Sequence, residues 1–379
     1  MDFLPRTIQK RIETWLGKGK IIILYGARQV GKTTLVKEIL KEFNNDGVYL
    51  NCDRHEIRTL LQDASVARLK SVIGKKRLAV IDEAQRIDGI GLTLKLIHDE
   101  WPELQLIATG SSSFDLANRL REPMTGRTVT FQMHPLSLEE LQQRHPLTEL
   151  DEMLPFFMRF GSYPDISNRT EEEARELLIN LSDAYLYRDV LNYEQLRKPD
   201  LVVRLLQLLA MQVGNEVSRH ELATTLQVSR DTINRYVDLL EKSFVIFRLR
   251  AYSRNLRKEI SKKEKIYFYD TGIRNSLISR FNPLDFRDDI GALWENFMIT
   301  ERLKWLDNHG LHRNKFFWRT HSQKEIDYIE EYDEKLDAFE IKWGKADSKP
   351  PKLFMATYPH SSYQVVSRKS FRDFVLQGL

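Results

Sequence analysis

Residues 21–33 read Ile-Ile-Ile-Leu-Tyr-Gly-Ala-Arg-Gln-Val-Gly-Lys-Thr. An apolar five-mer, Ile21 to Tyr25, runs into Gly26. From there to Thr33 the residues fit the phosphate-loop pattern G-x-x-x-x-G-K-[ST]. Each part of the pattern has a task. Gly26 and Gly31 let backbone N–H groups wrap phosphates, and the helix that follows points its positive end at them. Lys32 reaches phosphate oxygens, the Thr33 hydroxyl holds a Mg²⁺ ion, and Thr34 completes the nucleotide-contacting set. The motif stands between a strand and a helix, as this chemistry demands.

Working outward, further apolar runs alternate with amphipathic stretches: Val48–Leu50, Leu78–Ile81, Leu104–Ala108 and Arg127–Phe131. Continuous apolar strands separated by helices predict a parallel sheet covered on both faces. The polar groups follow the strands' C-terminal ends, the edge at which open α/β sheets bind ligands. Asp82 and Glu83 end the third strand. Asp82 is placed to hold Mg²⁺ through water and Glu83 to polarise an attacking water. Thr109-Gly110-Ser111-Ser112 ends the fourth, where Ser111 or Ser112 offers a hydroxyl to the γ-phosphate. A cofactor pair of ATP and Mg²⁺ follows.

Beyond residue 136 the pattern changes. Residues 137–200 read as a helical lid or linker, opening with Ser137 and Glu140 as a capping box. Residues 201–280 read as a winged helix-turn-helix: helices over 201–212, 219–226 and 230–242, then strands 244–247 and 266–269 around a basic loop. Between Arg248 and Lys265 stand eight basic residues against Glu259 and Glu264, an excess larger than the whole chain's +4. That distribution points to a nucleic-acid backbone. The candidate DNA contacts are Arg230, Thr232, Asn234 and Arg235 at the start of the recognition helix, with Arg254, Arg257, Lys258, Lys262 and Lys263 in the wing. Packing against protein is the alternative use of such a unit.

Residues 281–379 read as a last α/β unit. Asp327, Glu340 and Lys342 fit the loose D…[DE]-x-K pattern of metal-dependent nucleases. Glu340 and Lys342, two apart on a strand, share one face, with Phe339, Ile341 and Trp343 on the other. Asp327 and Glu340 are candidate Mg²⁺ ligands, Glu295 a further carboxylate, and Lys342 a group to position water or steady charge. A cross-strand ion pair is the plainer alternative.

Composition excludes several classes. With 42% hydrophobic and 30% charged residues over 379 positions, the chain can bury cores and is not disordered. One cysteine, Cys52, rules out an internal disulfide framework and a multi-cysteine zinc site. No apolar run reaches membrane-spanning length and no secretory-signal pattern opens the chain. The expectation is a cytoplasmic protein with no membrane partner.

With these residues in hand, the order of motifs resembles the AAA+ ATPases, and the whole chain resembles the bacterial and archaeal members that carry a C-terminal domain of unknown function. The likeness rests on the phosphate loop, Asp82-Glu-Ala-Gln85, Thr109-Gly-Ser-Ser112, Pro135-Leu-Ser137, Gly161-Ser-Tyr-Pro164, Arg188-Asp189, Lys265-Ile-Tyr-Phe-Tyr-Asp-Thr-Gly272, and Trp318-Arg319 leading to Glu325-Ile-Asp327 and Glu340-Ile-Lys342. Ser162 departs from it, since family members often have glycine there. The resemblance implies an α/β fold with a P-loop AAA+ core over residues 1–136, and a restriction-endonuclease-like tail similar to the PD-(D/E)xK nucleases. It also implies a homo-oligomer such as a hexameric ring, in which an arginine from the neighbouring subunit completes the site. Arg119, Arg121 and Arg127 are the candidates, Arg127 the favoured one. The expected function is ATP-dependent movement or remodelling of DNA, including branched DNA such as Holliday junctions. Two other classes stand beside it: an ATP-gated, Mg²⁺-dependent DNA endonuclease of defence or mobile elements, and a non-motor ATP switch controlling oligomerisation or transcription.

Overall fold

The computed structural model describes residues 4–62, 64–111, 126–185, 199–252, 264–320, 322–344 and 347–377. Two compact units divide the chain: Met1–Pro135 with Lys242–Phe244, and Leu136–Glu241 with Val245–Leu379. The sequence reading expects four segments.

In the first unit, helix α1 (Thr7–Glu13) precedes strand β1 (Ile21–Gly26). Then follow α2 (Lys32–Glu42), β2 (Gly47–Asn51), α3 (His55–Gln62), α4 (Val66–Ile73), β3 (Leu78–Asp82), α5 (Ile90–Glu100), β4 (Gln105–Gly110) and β5 (Thr128–Met133). The sheet order is β2-β3-β4-β1-β5 and every pairing is parallel, as the apolar runs predict. β1 is the inner strand because Ile21 to Leu24 are apolar on both faces, and all four are fully buried. One face, with Ile21, Ile23, Ile81 and Ala108, packs on Leu61, Leu69, Leu94 and Ile97 of α3, α4 and α5. The other lies beneath α2, whose Leu35, Val36 and Ile39 recur at helical spacing. β1 sits between β4 and β5, neither its sequence neighbour. That break in strand order is where an open sheet leaves a crevice at its C-terminal edge.

The second unit opens with α6 (Leu138–Leu141), whose cap is the expected box: Glu140 N–H donates to Ser137 Oγ and Ser137 N–H to Glu140 Oε2. Helices α7 (Leu147–Phe160), α8 (Glu171–Tyr185), α9 (Pro199–Met211), α10 (Arg219–Leu226) and α11 (Arg230–Lys242) follow. Next come β6 (Ile246–Ala251), β7 (Glu264–Phe268), α12 (Thr271–Leu277) and α13 (Ile290–His309). The unit ends with β8 (Asn314–Arg319), β9 (Glu325–Tyr332), β10 (Lys335–Lys342), α14 (Lys352–Thr357) and β11 (Ser361–Ser367). β6 and β7, expected as the two strands of a wing, pair antiparallel. They do not stand apart, however. One six-stranded sheet runs β11-β10-β9-β8-β6-β7, with β6 parallel to β8 through Arg250–Phe316 and Ala251–Phe317. The expected segment boundary at residue 280 therefore falls across a continuous sheet. α13 packs on β7 and β10.

Two quoted motifs without an assigned role meet inside this unit. Asp270 caps α12, accepting from the Ile273 N–H at 3.1 Å and from the Ser162 N–H at 2.9 Å. Gly272 lies so close to α7 that a Cβ there would stand 2.2 Å from the Phe160 carbonyl oxygen. The Ser162 hydroxyl accepts from Lys304 Nζ at 2.8 Å, which gives the departure from glycine a bonding partner.

Candidate functional site

The loop after β1 runs from Gly26 to the start of α2. A Cβ on Gly26 would stand 2.1 Å from the Met133 carbonyl oxygen, so β5's backbone admits only glycine there. Gly31 is the residue before α2, in left-handed conformation. Lys32 is buried, its ammonium donating to the Gly26 and Ala27 carbonyls at 2.9 and 2.7 Å. Thr34 is exposed on the helix's first turn. Arg6, which no motif marks, braces the loop from outside by donating to the Val30 carbonyl at 2.6 Å and the His134 carbonyl at 2.7 Å.

Asp82 is 2% exposed and stands at the centre of a hydroxyl cluster. Thr33 Oγ1 donates to its Oδ2 at 2.8 Å, the Tyr49 hydroxyl donates to the same oxygen, and Thr109 Oγ1 donates to Oδ1. Burial, then the Asp82 carboxylate, pushes the Tyr49 phenol well above its ordinary range, so it remains a donor. Glu83 adopts a left-handed backbone, φ 56°, fixed by its N–H donating to Thr109 Oγ1 at 3.1 Å. Gln85 Nε2 donates to Glu83 Oε2 at 2.6 Å and to Ser111 Oγ at 3.0 Å. The carboxylate expected to polarise water and the hydroxyl expected to sense phosphate thus share one amide. Ser112, Arg119 and Arg121 lie outside the described residues. Arg127 immediately precedes β5 and pairs with Asp99 at 3.4 Å. Because Ile21 registers with Thr128 and Gly26 with Met133, Arg127 sits at the opposite edge of the sheet from its own loop, about 20 Å along the strands.

Between α10 and α11, Gln227 makes the left-handed turn and Ser229 caps α11 through the Thr232 N–H. Ile233, Tyr236, Val237 and Leu240 are buried, which leaves Arg230, Asn234 and Arg235 exposed and Thr232 half-buried. Asn234 accepts from Arg219 at 3.4 Å. Two members of the basic run are spent internally. Arg248 pairs with Asp238 at 2.7 Å and with Glu241, and Lys265 is 1% exposed. Arg254, Arg257, Lys258, Lys262 and Lys263 lie outside the described residues, as do Arg188 and Asp189.

The tail brings its expected residues together. β9 and β10 pair antiparallel, and Asp327 accepts from the Ile341 N–H at 2.8 Å. Glu340 and Lys342 share a face and pair at 2.7 Å, while Phe339 and Ile341 are buried opposite. Glu295 of α13 joins the cluster from the side. Burial, then the Asp327 charge, raises its carboxyl to about 7 against the pull of Lys265. Burial raises Asp327 as well, and burial with the Asp327 charge raises Glu340. Sequence reasoning missed the centre of the cluster. Lys265 of β7 pairs with Glu295 at 3.0 Å, with Glu325, and with Asp327 at 3.9 Å. Tyr267 donates to the same Glu295 oxygen at 2.5 Å. Among the described residues no group of three or more His, Cys, Asp or Glu side chains is arranged to hold a metal ion. No helix among them is long and apolar enough to cross a membrane.

Residues 18–142 match the family model of an AAA domain, residues 151–284 that of a domain of unknown function (DUF8612), and residues 290–377 that of another (DUF4143). An uncharacterized protein of Mycobacterium tuberculosis is 27% identical over 341 residues, covering 89% of this chain and 73% of that one. An uncharacterized protein of the archaeon Methanocaldococcus jannaschii is 26% identical over 346 residues, covering 86% and 75%. Among solved structures, the Pif1 helicase of Candida albicans matches over 48% of each chain at 16% identity, with a TM-score of 0.28, too low to carry an argument. The chain thus carries an AAA domain at 18–142 and a DUF4143 domain at 290–377, with relatives in bacteria and archaea.

Proposed function

We propose that this protein hydrolyses ATP in its AAA domain and uses the cycle to move or remodel DNA, branched junctions included. The observation that carries the nucleotide part is the meeting of Thr33 with Asp82 at 2.8 Å beside a glycine-bounded loop. A hydroxyl and a carboxylate directed at one point are the oxygen donors that Mg²⁺ takes, so these two side chains fit that ion. When bound with ATP, Mg²⁺ offsets charge on the phosphate oxygens. The chain's own residues do the rest. Loop N–H groups and the α2 N-terminus hold phosphates, and Lys32 turns from the Gly26 and Ala27 carbonyls toward them. Glu83 orients the attacking water as general base. Ser111, tied to Glu83 through Gln85, offers its hydroxyl to the γ-phosphate.

The DNA part is supported by α11, which buries one face and leaves Arg230 and Arg235 on the other, at the end that enters a groove in helix-turn-helix proteins. The homo-oligomer is supported by the distance of Arg127 from its own loop, about 20 Å along the strands, which in this reading leaves a neighbour's loop as the one it serves. The test is ATP turnover with and without a four-way DNA junction. Lys32→Ala is expected to lower turnover at least a hundredfold, and the junction to raise wild-type turnover severalfold. Normal turnover in Lys32→Ala would overturn the nucleotide site. Lys32-dependent turnover indifferent to DNA would replace the motor with a switch.

A further inference from the structure

The tail's likeness to metal-dependent nucleases implies a divalent ion among Asp327, Glu340 and Glu295, and the residues present do not fit one. The point on which the carboxylates converge already holds a cation. Lys265, 1% exposed, lies 3.0 Å from Glu295, 3.9 Å from Asp327 and in contact with Glu325. One oxygen on each of the three carboxylates is engaged. Glu295 Oε1 accepts from both Lys265 and Tyr267, and Asp327 Oδ2 accepts from the Ile341 N–H. Glu340 Oε1 is paired with Lys342, and Arg319 stands 3.4 Å from Glu325. The Phe317 ring centroid lies 5.6 Å from the Lys265 ammonium, an aromatic face against the cation. Lys265 and Lys342 are thus set among Glu295, Glu325, Asp327 and Glu340, and Arg319 bridges Glu325 to Glu216. A hard dication needs about six oxygen ligands and would have to enter against the ammonium at the centre.

We infer that Lys265 is the resident cation of this cluster, and that the tail holds β7, α13 and β9 together through it in place of binding a divalent metal. The cluster is then an internal ionic lock with nuclease-like residues, and the tail does not cut DNA by metal-assisted hydrolysis. This inference does not rest on the ATPase reading.

The test is Mn²⁺ binding by the full chain without nucleotide, followed by the electron spin resonance signal of free Mn²⁺. Wild type and Glu340→Gln, whose side chain lies at the edge of the cluster, are expected to bind Mn²⁺ equally. Lys265→Met is expected to bind it at least tenfold more tightly than wild type, and to lose that gain when Glu340→Gln is added. A site in wild type that Glu340→Gln removes would overturn the inference. So would a Lys265→Met chain that folds with unchanged thermal stability and no gain in Mn²⁺ affinity. The comparison of wild type with Glu340→Gln stands alone if Lys265→Met fails to fold. Lys32→Ala turnover reports on the other site and is unaffected by either result.

Discussion

Asp82 has the most crowded surroundings in the nucleotide site. Its two oxygens accept from three hydroxyls, those of Thr33, Tyr49 and Thr109. Thr33 and Asp82 are legible in the sequence because a motif fixes their spacing. Tyr49 is not, because only the β2–β3 pairing brings it alongside. On the proposed ATPase reading, Tyr49→Phe is expected to raise the Mg²⁺ concentration for half-maximal turnover severalfold with the maximal rate retained. A titration of turnover against Mg²⁺ checks this. A second residue-scale effect lies in the other unit. Burial works against the Asp289 charge, but hydrogen bonds from Arg287 and Arg274 outweigh it and hold the carboxyl well below the usual range. A carboxyl depressed on folding stabilises the fold above its unfolded value near 3.8 and loses that contribution as pH falls below it. Asp289→Asn is expected to cost about 1–3 kcal/mol at pH 7 and progressively less from pH 4 downward, read by urea unfolding at each pH.

Among the elements, the five parallel strands, the capping box, α10, α11 and the tail strands were all legible, each from a strong local pattern. What the sequence could not show was how distant elements join. The run from Arg248 to Lys265 reads as a uniform basic loop, yet its ends are committed inward: Arg248 to Glu241 and Asp238, Lys265 to the tail. Charge counting cannot separate a buried lysine from an exposed one, because the difference is set by strand order. The exposed face of α11 is the better test of DNA contact. Arg230→Glu with Arg235→Glu is expected to weaken DNA binding tenfold or more and to lower the slope of log affinity against log salt by about 1–2, the fold intact. Equal affinity would assign α11 to protein contacts. The α7–α12 approach gives a stability test. Gly272→Ala forces a Cβ against the Phe160 carbonyl and is expected to destabilise the second unit by about 2–4 kcal/mol, seen in its melting temperature.

At the scale of the whole molecule, the formal charge of +4 is a small remainder of 58 basic and 54 acidic residues, and it says little about where an uncompensated surface lies. The assembly prediction turns on Arg127. Arg127→Ala and Lys32→Ala chains, each inactive alone, are expected to recover part of the turnover when mixed, because a neighbour's Arg127 would complete an intact loop. No recovery across mixing ratios would remove Arg127 from the site.

The sheet that joins β6 and β7 to the tail has a mechanical meaning. Arg248 fastens β6 to α11, and Arg219 fastens α10 to Glu264 of β7. Helices α10 and α11 are therefore fastened to a six-stranded sheet. Tension arriving at α11 passes along peptide ladders into β8, β9 and β10, where it is borne in shear and shared by many bonds at once. On the DNA reading, a load on α11 would be carried by the same sheet that carries the tail strands.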